Sequence, residues 1–190
     1  MPEKTRRETS PDASPSQFFT KEGGPWGRCF LPRRPGEKRY WLVKSEPDVF
    51  SWDDLLKAKK RTTHWNGVRN FSARNFMRDG MKMGDLVFFY HSNAEPPGIV
   101  GICEVAREAY PDTTAFDQDH DGYDEKSSPA NPTWFMVDLR AVEPLPNMVT
   151  LPMLKSAKGL EQMALIRTGR LSVIPVTADE WKTILALARG

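Results

Sequence analysis

The stretch from residue 63 to residue 76 gathers side chains that can bind a flat aromatic ring. It contains the indole of Trp65, the guanidinium groups of Arg69 and Arg74, and the carboxamide of Asn70. Such groups stack on a nucleobase or hydrogen-bond to its edge. Residues 57–82 hold eight basic residues and one acidic residue, so much of the positive charge gathers around this stretch. The pattern is typical of a surface that recognises a base.

A structural interpretation of the same stretch stays open. Trp65 and Phe71 can be core anchors, because most aromatic residues in globular proteins pack. The arginines can then lie on a solvated helix face. The Asn66-Gly67 pair favours the functional interpretation, since it predicts a turn that presents the next residues from a loop.

Metal-ion and catalytic chemistry have little support in the sequence. The histidines His64, His91 and His120 lie on separate segments, and only two cysteines are present, so we predict no metal site and no cofactor. Residues 117–122 match the first half of a calcium-binding loop, but Ser128 stands where that loop needs a bidentate glutamate. A hydrolase using Ser45 or His91 lacks any nucleophile motif, and we predict no catalytic residues.

Length, composition and hydropathy predict the number of domains and argue against a membrane or secreted protein. A chain of 190 residues with 39% hydrophobic residues predicts one domain, and it holds no apolar run long enough to span a membrane. The N-terminus lacks the apolar region of a signal peptide. We therefore expect an intracellular protein, in the cytoplasm of a bacterium or, in a eukaryote, the nucleus.

The charge is unevenly distributed along the chain. Residues 1–39 hold nine basic and five acidic residues, whereas residues 40–190 hold eighteen and twenty. Residues 1–38 are also rich in proline, and we predict a disordered basic tail there and a folded domain over 39–190. The folded domain is not a general polyanion binder, so any nucleic acid would contact a local basic patch.

Alternating strand and helix signals predict an α+β fold with a mixed or barrel-like sheet. Helices are expected after Ser51, Thr150 and Thr177, from residue 72 to 79, and near 160–166; Ser51 and Thr177 each begin a capping-box pattern. Gly101, inside a strand, indicates a bend or a close approach of the backbone. Strands are expected at residues 39–44, 85–92, 99–105, 133–142 and 170–176.

Seven motifs in chain order resemble the EVE domain family over residues 39–189; they lie at residues 40–47, 65–70, 73–76, 84–92, 98–101, 109–112 and 170–173. The resemblance implies a PUA-like fold, a small mixed β-barrel with flanking short helices. It also implies a non-enzymatic reader of a modified nucleobase, 5-methylcytosine or 5-hydroxymethylcytosine in DNA. The family commonly has tyrosine at the position of Phe71, so a hydroxyl group is absent there.

A reader of this kind must extrude the base from a duplex or take a single strand, at a cost of a few kcal/mol. Stacking on an aromatic ring returns about 1–3 kcal/mol. The candidates for stacking are Trp65, Tyr90 and Trp134, and those for the base edge are Ser45, Asn70, His91 and Ser172. Arg69, Arg74 and Arg170 are the candidates for phosphate. A reader of modified RNA, a nucleotide-handling enzyme and an interaction module remain the alternatives.

Overall fold

The computed structural model describes residues 27–190, which form an α+β fold around one mixed six-stranded sheet. The strands occur along the sheet in the order β2-β5-β4-β3-β1-β6. The helices are α1 (Trp52–Lys57), α2 (Phe71–Asn75), α3 (Leu151–Ser156), α4 (Ala164–Arg167) and α5 (Ala178–Arg189). The strands are β1 (Tyr40–Ser45), β2 (Thr62–Trp65), β3 (Leu86–His91), β4 (Gly98–Pro111), β5 (Phe135–Thr150) and β6 (Val173–Val176).

Strands β1 and β3 are parallel, so their polar C-terminal ends lie side by side. All other neighbouring strands in the sheet are antiparallel. Ser45 pairs with His91, His91 with Gly98, and Gly98 with Thr150. These residues therefore lie where neighbouring strands begin or end, along a line across the strands that we call the upper edge. Pro111 pairs with Phe135 at the opposite, lower edge.

Register also assigns side chains to the two faces of the sheet, because paired residues share a face and successive residues alternate. Tyr40 and Phe88 lie on one face, where both stack on Trp181 of α5, with ring centroids 4.7 and 3.7 Å from it. Phe89 lies on the other face, edge-on to Trp52 and to Trp65 at 5.6 Å each. By parity, Lys44 and Tyr90 belong to the α5 face, and Ser45 and His91 to the opposite face.

Local capping signals predicted the helix starts well. Both capping boxes are present, with Ser51 and Thr177 as N-caps, and the Thr150 hydroxyl accepts a hydrogen bond at the start of α3. The helix expected over 72–79 begins at Phe71 and changes to a π-helix over Phe76–Gly80. Only α4 forms near 160–166. Strands β4 and β5 run longer than expected, and register shifts interrupt their pairing, one of them next to the Gly101–Pro144 pair.

The prediction of a disordered tail over 1–38 is wrong for residues 27–38. Residues Gly27–Phe30 form a short 3₁₀ turn, Cys29 is buried, and Phe30 stacks on Phe76 at 5.5 Å. Arg33 then donates two hydrogen bonds to the buried carboxylate of Asp85. Composition does not reveal this anchor, which depends on a residue 52 positions away. The remainder of the predicted tail, residues 1–26, lies outside the described residues.

The backbone of Gly101 lies close to a neighbouring side chain, as the position of a glycine inside a strand predicted. A Cβ atom there would lie about 2.5 Å from the buried ring of Trp52. We expect Gly101→Ala to destabilise the fold by about 1–3 kcal/mol, because a core that is already filled must shift to admit a methyl group. Urea unfolding followed by tryptophan fluorescence measures this loss. Gly169→Ala is the control, since a Cβ atom at that position would have no neighbour within 4 Å; equal stability of both variants would contradict the packing argument.

Candidate nucleic-acid interface

A cleft of about 470 Å³ opens at the upper edge of the sheet, on the α5 face. The β3–β4 loop forms one wall and the segment that leads into β6 forms the other. Leu151, Leu165 and Leu171 give the cleft apolar walls. The polar residues that line it are Lys44, Glu46, Tyr90, Ser92, Asn93, Arg170 and Ser172. Its volume is that of a typical small-ligand site.

Most of the polar side chains in this upper cleft make no hydrogen bond to another described residue and open to solvent. The Tyr90 hydroxyl has no hydrogen-bond partner among the described residues, and the same holds for the side chains of Ser92, Asn93 and Ser172. Tyr90 is only 4% exposed, and burial raises the pKa of its phenol. The cleft therefore offers neutral donors and acceptors beside apolar walls, the combination that orients a small polar ring.

Two cations border the same cleft. The ammonium group of Lys44 donates to the carbonyl oxygen of Gly169 at 2.8 Å, and burial lowers the pKa of Lys44. Arg170 is exposed and makes no ion pair with any residue that the structure describes. Glu46 supplies one opposing charge at the rim. A phosphate group next to a bound base would find Arg170 free to turn toward it, with Lys44 beside it on the Gly169 carbonyl oxygen.

Ser45 and His91 end the same two strands but point to the opposite face. The Ser45 hydroxyl donates to the carbonyl oxygen of Phe50 at 2.6 Å. Nε2 of His91 accepts from the backbone N–H of Trp52 at 3.0 Å, which fixes the start of α1. These two side chains hold α1 against the sheet. The Ser45 hydroxyl and Nε2 of His91 are therefore already hydrogen-bonded within the protein and are not available to the edge of a base.

The half-buried ring of His91 makes stability depend on pH. Burial lowers the pKa of His91 below its usual 6.5, with Asp53 opposing the effect. The unfolded chain therefore binds this proton more readily, and we expect the free energy of unfolding to fall as the pH drops below 6.5. Urea unfolding at pH 8, 6.5 and 5.5 measures the slope. In His91→Gln, whose amide oxygen can still accept from Trp52, that slope should disappear; an unchanged slope would assign it to other groups.

Trp65 lies in the core at the end of β2. It is 8% exposed, and its ring meets the Phe89 ring at 84°. Next to Phe89, the indole nitrogen of Trp52 is buried and has no hydrogen-bond partner in the part of the chain that the structure describes. With so little of the side chain exposed, the Trp65 ring offers little surface for a base to stack on. Trp65 is therefore a core anchor in this structure, as the structural interpretation of the stretch predicts.

The remaining predicted residues gather at the lower edge. Trp134 is buried, stacks on Phe71 with centroids 4.9 Å apart, and donates from its indole nitrogen to Asp124 at 2.7 Å. The Arg69 guanidinium lies 5.5 Å from the Trp134 ring centroid, and that of Arg74 lies 4.8 Å from the Phe71 centroid. Phe71 is 59% exposed. The sheet thus separates these residues from the upper cleft.

Hydrogen bonds within the protein occupy most of the polar groups at the lower edge. Arg69 donates to Asp112, Thr114 and the Gly122 carbonyl oxygen at 2.7–2.9 Å. The carbonyl oxygen of the Asn70 side chain accepts from two backbone N–H groups at the start of α2. Arg74 donates to Asn75 and to the carbonyl oxygen of Thr133. These hydrogen bonds hold the loops around α2 in place, and those of Arg69 also help to satisfy the buried carboxylate of Asp112.

No group of three metal-binding side chains occurs within residues 27–190. In the acidic loop, Asp117 accepts from the Asp119 N–H and His120 accepts from the Gly122 N–H. Within the same range, no helix is long and apolar enough to cross a membrane.

Sequence reasoning missed Lys44, Ser92 and Asn93. Lys44 is the neighbour of a predicted residue, and only the parity of the β1–β3 pair turns it, rather than Ser45, into the cleft. Ser92 and Asn93 had a usable signal, since they follow the C-terminal end of a strand in a parallel pair, where ligand sites collect in open sheets.

Comparison of the sequence with models of known families identifies the family of this chain. The model of the EVE domain matches residues 39–187. The chain belongs to the EVE domain family. The predicted resemblance and the PUA-like α+β fold are confirmed. The match to the EVE domain begins one residue before β1, so the ordered residues 27–38 lie outside it.

Relatives of this EVE domain occur in animals and bacteria. Human thymocyte nuclear protein 1 is 42% identical over 165 residues, which cover 78% of this chain and 73% of the human protein. The crystal structure of human THYN1 in complex with 5-methylcytosine-containing DNA has a TM-score of 0.77 at 42% identity, covering 80% of this chain and 99% of that chain. A structure from Pseudomonas syringae has a TM-score of 0.73 at 47% identity, covering 78% and 99%.

Proposed function

We propose that this EVE domain is a non-enzymatic reader that binds 5-methylcytosine or 5-hydroxymethylcytosine in DNA, with the base in the upper cleft. The polar groups of that cleft that have no hydrogen-bond partner among residues 27–190 carry the proposal. The complex of human THYN1 with 5-methylcytosine-containing DNA supports the choice of ligand, since that protein shares 42% identity and the fold. In the nucleus or in a bacterial cytoplasm, such a reader would meet its DNA directly.

The chemistry of the cleft suits a cytosine ring. Cytosine presents the N4 amino group as a donor beside ring acceptors, and hydroxyl groups both donate and accept. Tyr90 and Ser172 supply such hydroxyls without losing an existing bond, and Asn93 supplies a carboxamide. A methyl group at C5 would contact an apolar wall, where one methyl group is worth about 1–3 kcal/mol of discrimination.

The rim of the cleft favours Arg170 and Lys44 as the phosphate contacts. Both lie beside the proposed base site, whereas Arg69 and Arg74 lie at the lower edge with hydrogen-bond partners of their own. Among the candidates from the sequence, we therefore propose Tyr90, Ser172 and Arg170 for direct contact. Ser45, His91, Asn70, Trp65 and Trp134 then act by fixing the elements around them.

The geometry gives catalysis little support. A hydrolase needs its nucleophile within hydrogen-bond reach of a base. The Ser45 hydroxyl donates to Phe50, and His91 accepts from Trp52, so neither activates the other.

Fluorescence polarisation with matched oligonucleotides tests the proposal. The full chain is titrated with labelled DNA and RNA that carry cytosine, 5-methylcytosine, 5-hydroxymethylcytosine or N6-methyladenine at one position. We expect DNA with a modified cytosine to bind at least about tenfold more tightly than its unmodified match. Preference for a modified RNA would favour the RNA alternative. Equal, salt-sensitive binding to every oligonucleotide would refute a reader.

A further inference from the structure

A second cleft, of about 540 Å³, lies at the other end of β1 and β6. One wall is the N-terminal segment, defined here as residues 28–39, and the other is formed by the end of β6 and the first residues of α5. The N-terminal segment precedes the part of the chain that the EVE family shares, apart from its last residue. We call this feature the N-terminal cleft.

The N-terminal segment carries a clear excess of positive charge. It contains five basic residues and one acidic residue. Residues 1–27 contain four of each sign, and residues 40–190 contain eighteen basic and twenty acidic residues. The chain is slightly acidic over residues 40–190 as a whole, although residues 57–82 are basic, and this short ordered segment adds a second local excess of cations. The positive charge of the segment attracts a polyanion, and because salt screens this attraction, it acts only over a short distance.

Two of the five cations have structural roles. Arg33 binds the Asp85 carboxylate and the Gly80 carbonyl oxygen. Arg39 donates to the side chain of Glu37 and to the carbonyl oxygens of Cys29 and Leu31. Together they hold the segment in a fixed course across the lower end of β1.

The other three cations, Arg28, Arg34 and Lys38, line the cleft and are exposed. Their side chains make no hydrogen bond or ion pair with any residue from 27 to 190. Carboxylates that could neutralise them are few, since Glu37 is the one acidic residue of the described chain that lines the cleft, and it pairs with Arg39. The segment therefore presents three cations on an anchored backbone, each without a partner in the described range.

We propose that Arg28, Arg34 and Lys38 bind backbone phosphates of the duplex whose modified base occupies the upper cleft. This inference rests on the proposed function. Tyr40 lines the N-terminal cleft and Lys44 lines the upper cleft, on the same face of β1. Four strand residues span about 13 Å, which corresponds to about four base pairs at 3.4 Å per pair. The separation is thus short enough for one duplex to contact both clefts around the end of α5, and the N-terminal cleft would then contribute affinity without reading sequence.

The test compares the salt dependence of binding in the full chain and in the triple variant Arg28→Ala/Arg34→Ala/Lys38→Ala. The probe is a duplex of roughly 16 base pairs, with and without one 5-methylcytosine. Losing three phosphate contacts should reduce the slope of log K against log salt by about 2 to 3 and weaken binding about tenfold or more at low salt. The preference for 5-methylcytosine over cytosine should keep its wild-type ratio.

Two further variants control the comparison. Lys126→Ala/Lys158→Ala/Arg189→Ala removes three exposed cations elsewhere and should leave the slope unchanged. Arg28→Lys/Arg34→Lys keeps the charge and should retain the wild-type slope. A wild-type slope in the first triple variant would overturn the phosphate assignment. Absence of any 5-methylcytosine preference in the wild type would instead refute the proposed function, and the slopes would still decide the role of the segment.

Discussion

Asp85→Ala is expected to destabilise the protein by about 3–5 kcal/mol, enough to unfold most of a marginally stable domain. The carboxylate is 1% exposed and accepts from the Arg33 guanidinium, from the Trp41 indole nitrogen at 2.8 Å and from two backbone N–H groups at 3.0 Å. Its removal leaves a half-buried guanidinium and a buried indole donor without their partner. Urea unfolding followed by circular dichroism measures the loss.

Two substitutions set the scale for this effect. Glu108→Ala breaks the exposed pair with Lys82 and should cost less than about 1 kcal/mol. Asp85→Asn keeps the shape and part of the hydrogen bonding, so its cost should lie between the other two. A loss below about 1 kcal/mol in Asp85→Ala would show that the N-terminal segment is not anchored through this carboxylate.

Tyr90→Phe and Ser172→Ala should each weaken binding to 5-methylcytosine DNA about tenfold or more. Each substitution removes a hydroxyl group that we propose to bind the base, and the polar atom of the base would then stay buried without a hydrogen bond. Stability should hardly change, since neither hydroxyl has a partner within residues 27–190. Polarisation titrations with the matched oligonucleotides measure the affinity. Tyr123→Phe, which removes an exposed phenol hydroxyl outside the cleft, should bind as the wild type does. Unchanged affinity in both cleft variants would contradict the assignment.

The features that the sequence predicted correctly depend on short stretches of chain. Ser51 and Thr177 cap helices through residues three positions away, and Gly101 marks its close approach by being a glycine inside a strand. Each of these signals is complete within a few residues. The strand and helix types that define the α+β class follow from such signals together.

The candidate site depended on pairings that no local pattern contains. Ser45 and Lys44 are neighbours in the sequence, and only the parallel pairing of β1 with the distant strand β3 decides which one faces the cleft. Arg69 has the composition of a phosphate contact, yet the buried carboxylate of Asp112 captures it. Residue type indicated what these groups can bind, and the fold decided which of them are already bound.

The most direct test of the base site is a chemical-shift map of the full chain, labelled with nitrogen-15, during titration with a single-stranded oligonucleotide that carries one 5-methylcytosine. We predict the largest shifts at backbone amides of residues 90–93 and 169–172, around the upper cleft. The cytosine-containing match should shift these amides less at equal concentration. Largest shifts at Phe71 and Trp134, with residues 90–93 and 169–172 unmoved, would contradict a base site in the upper cleft.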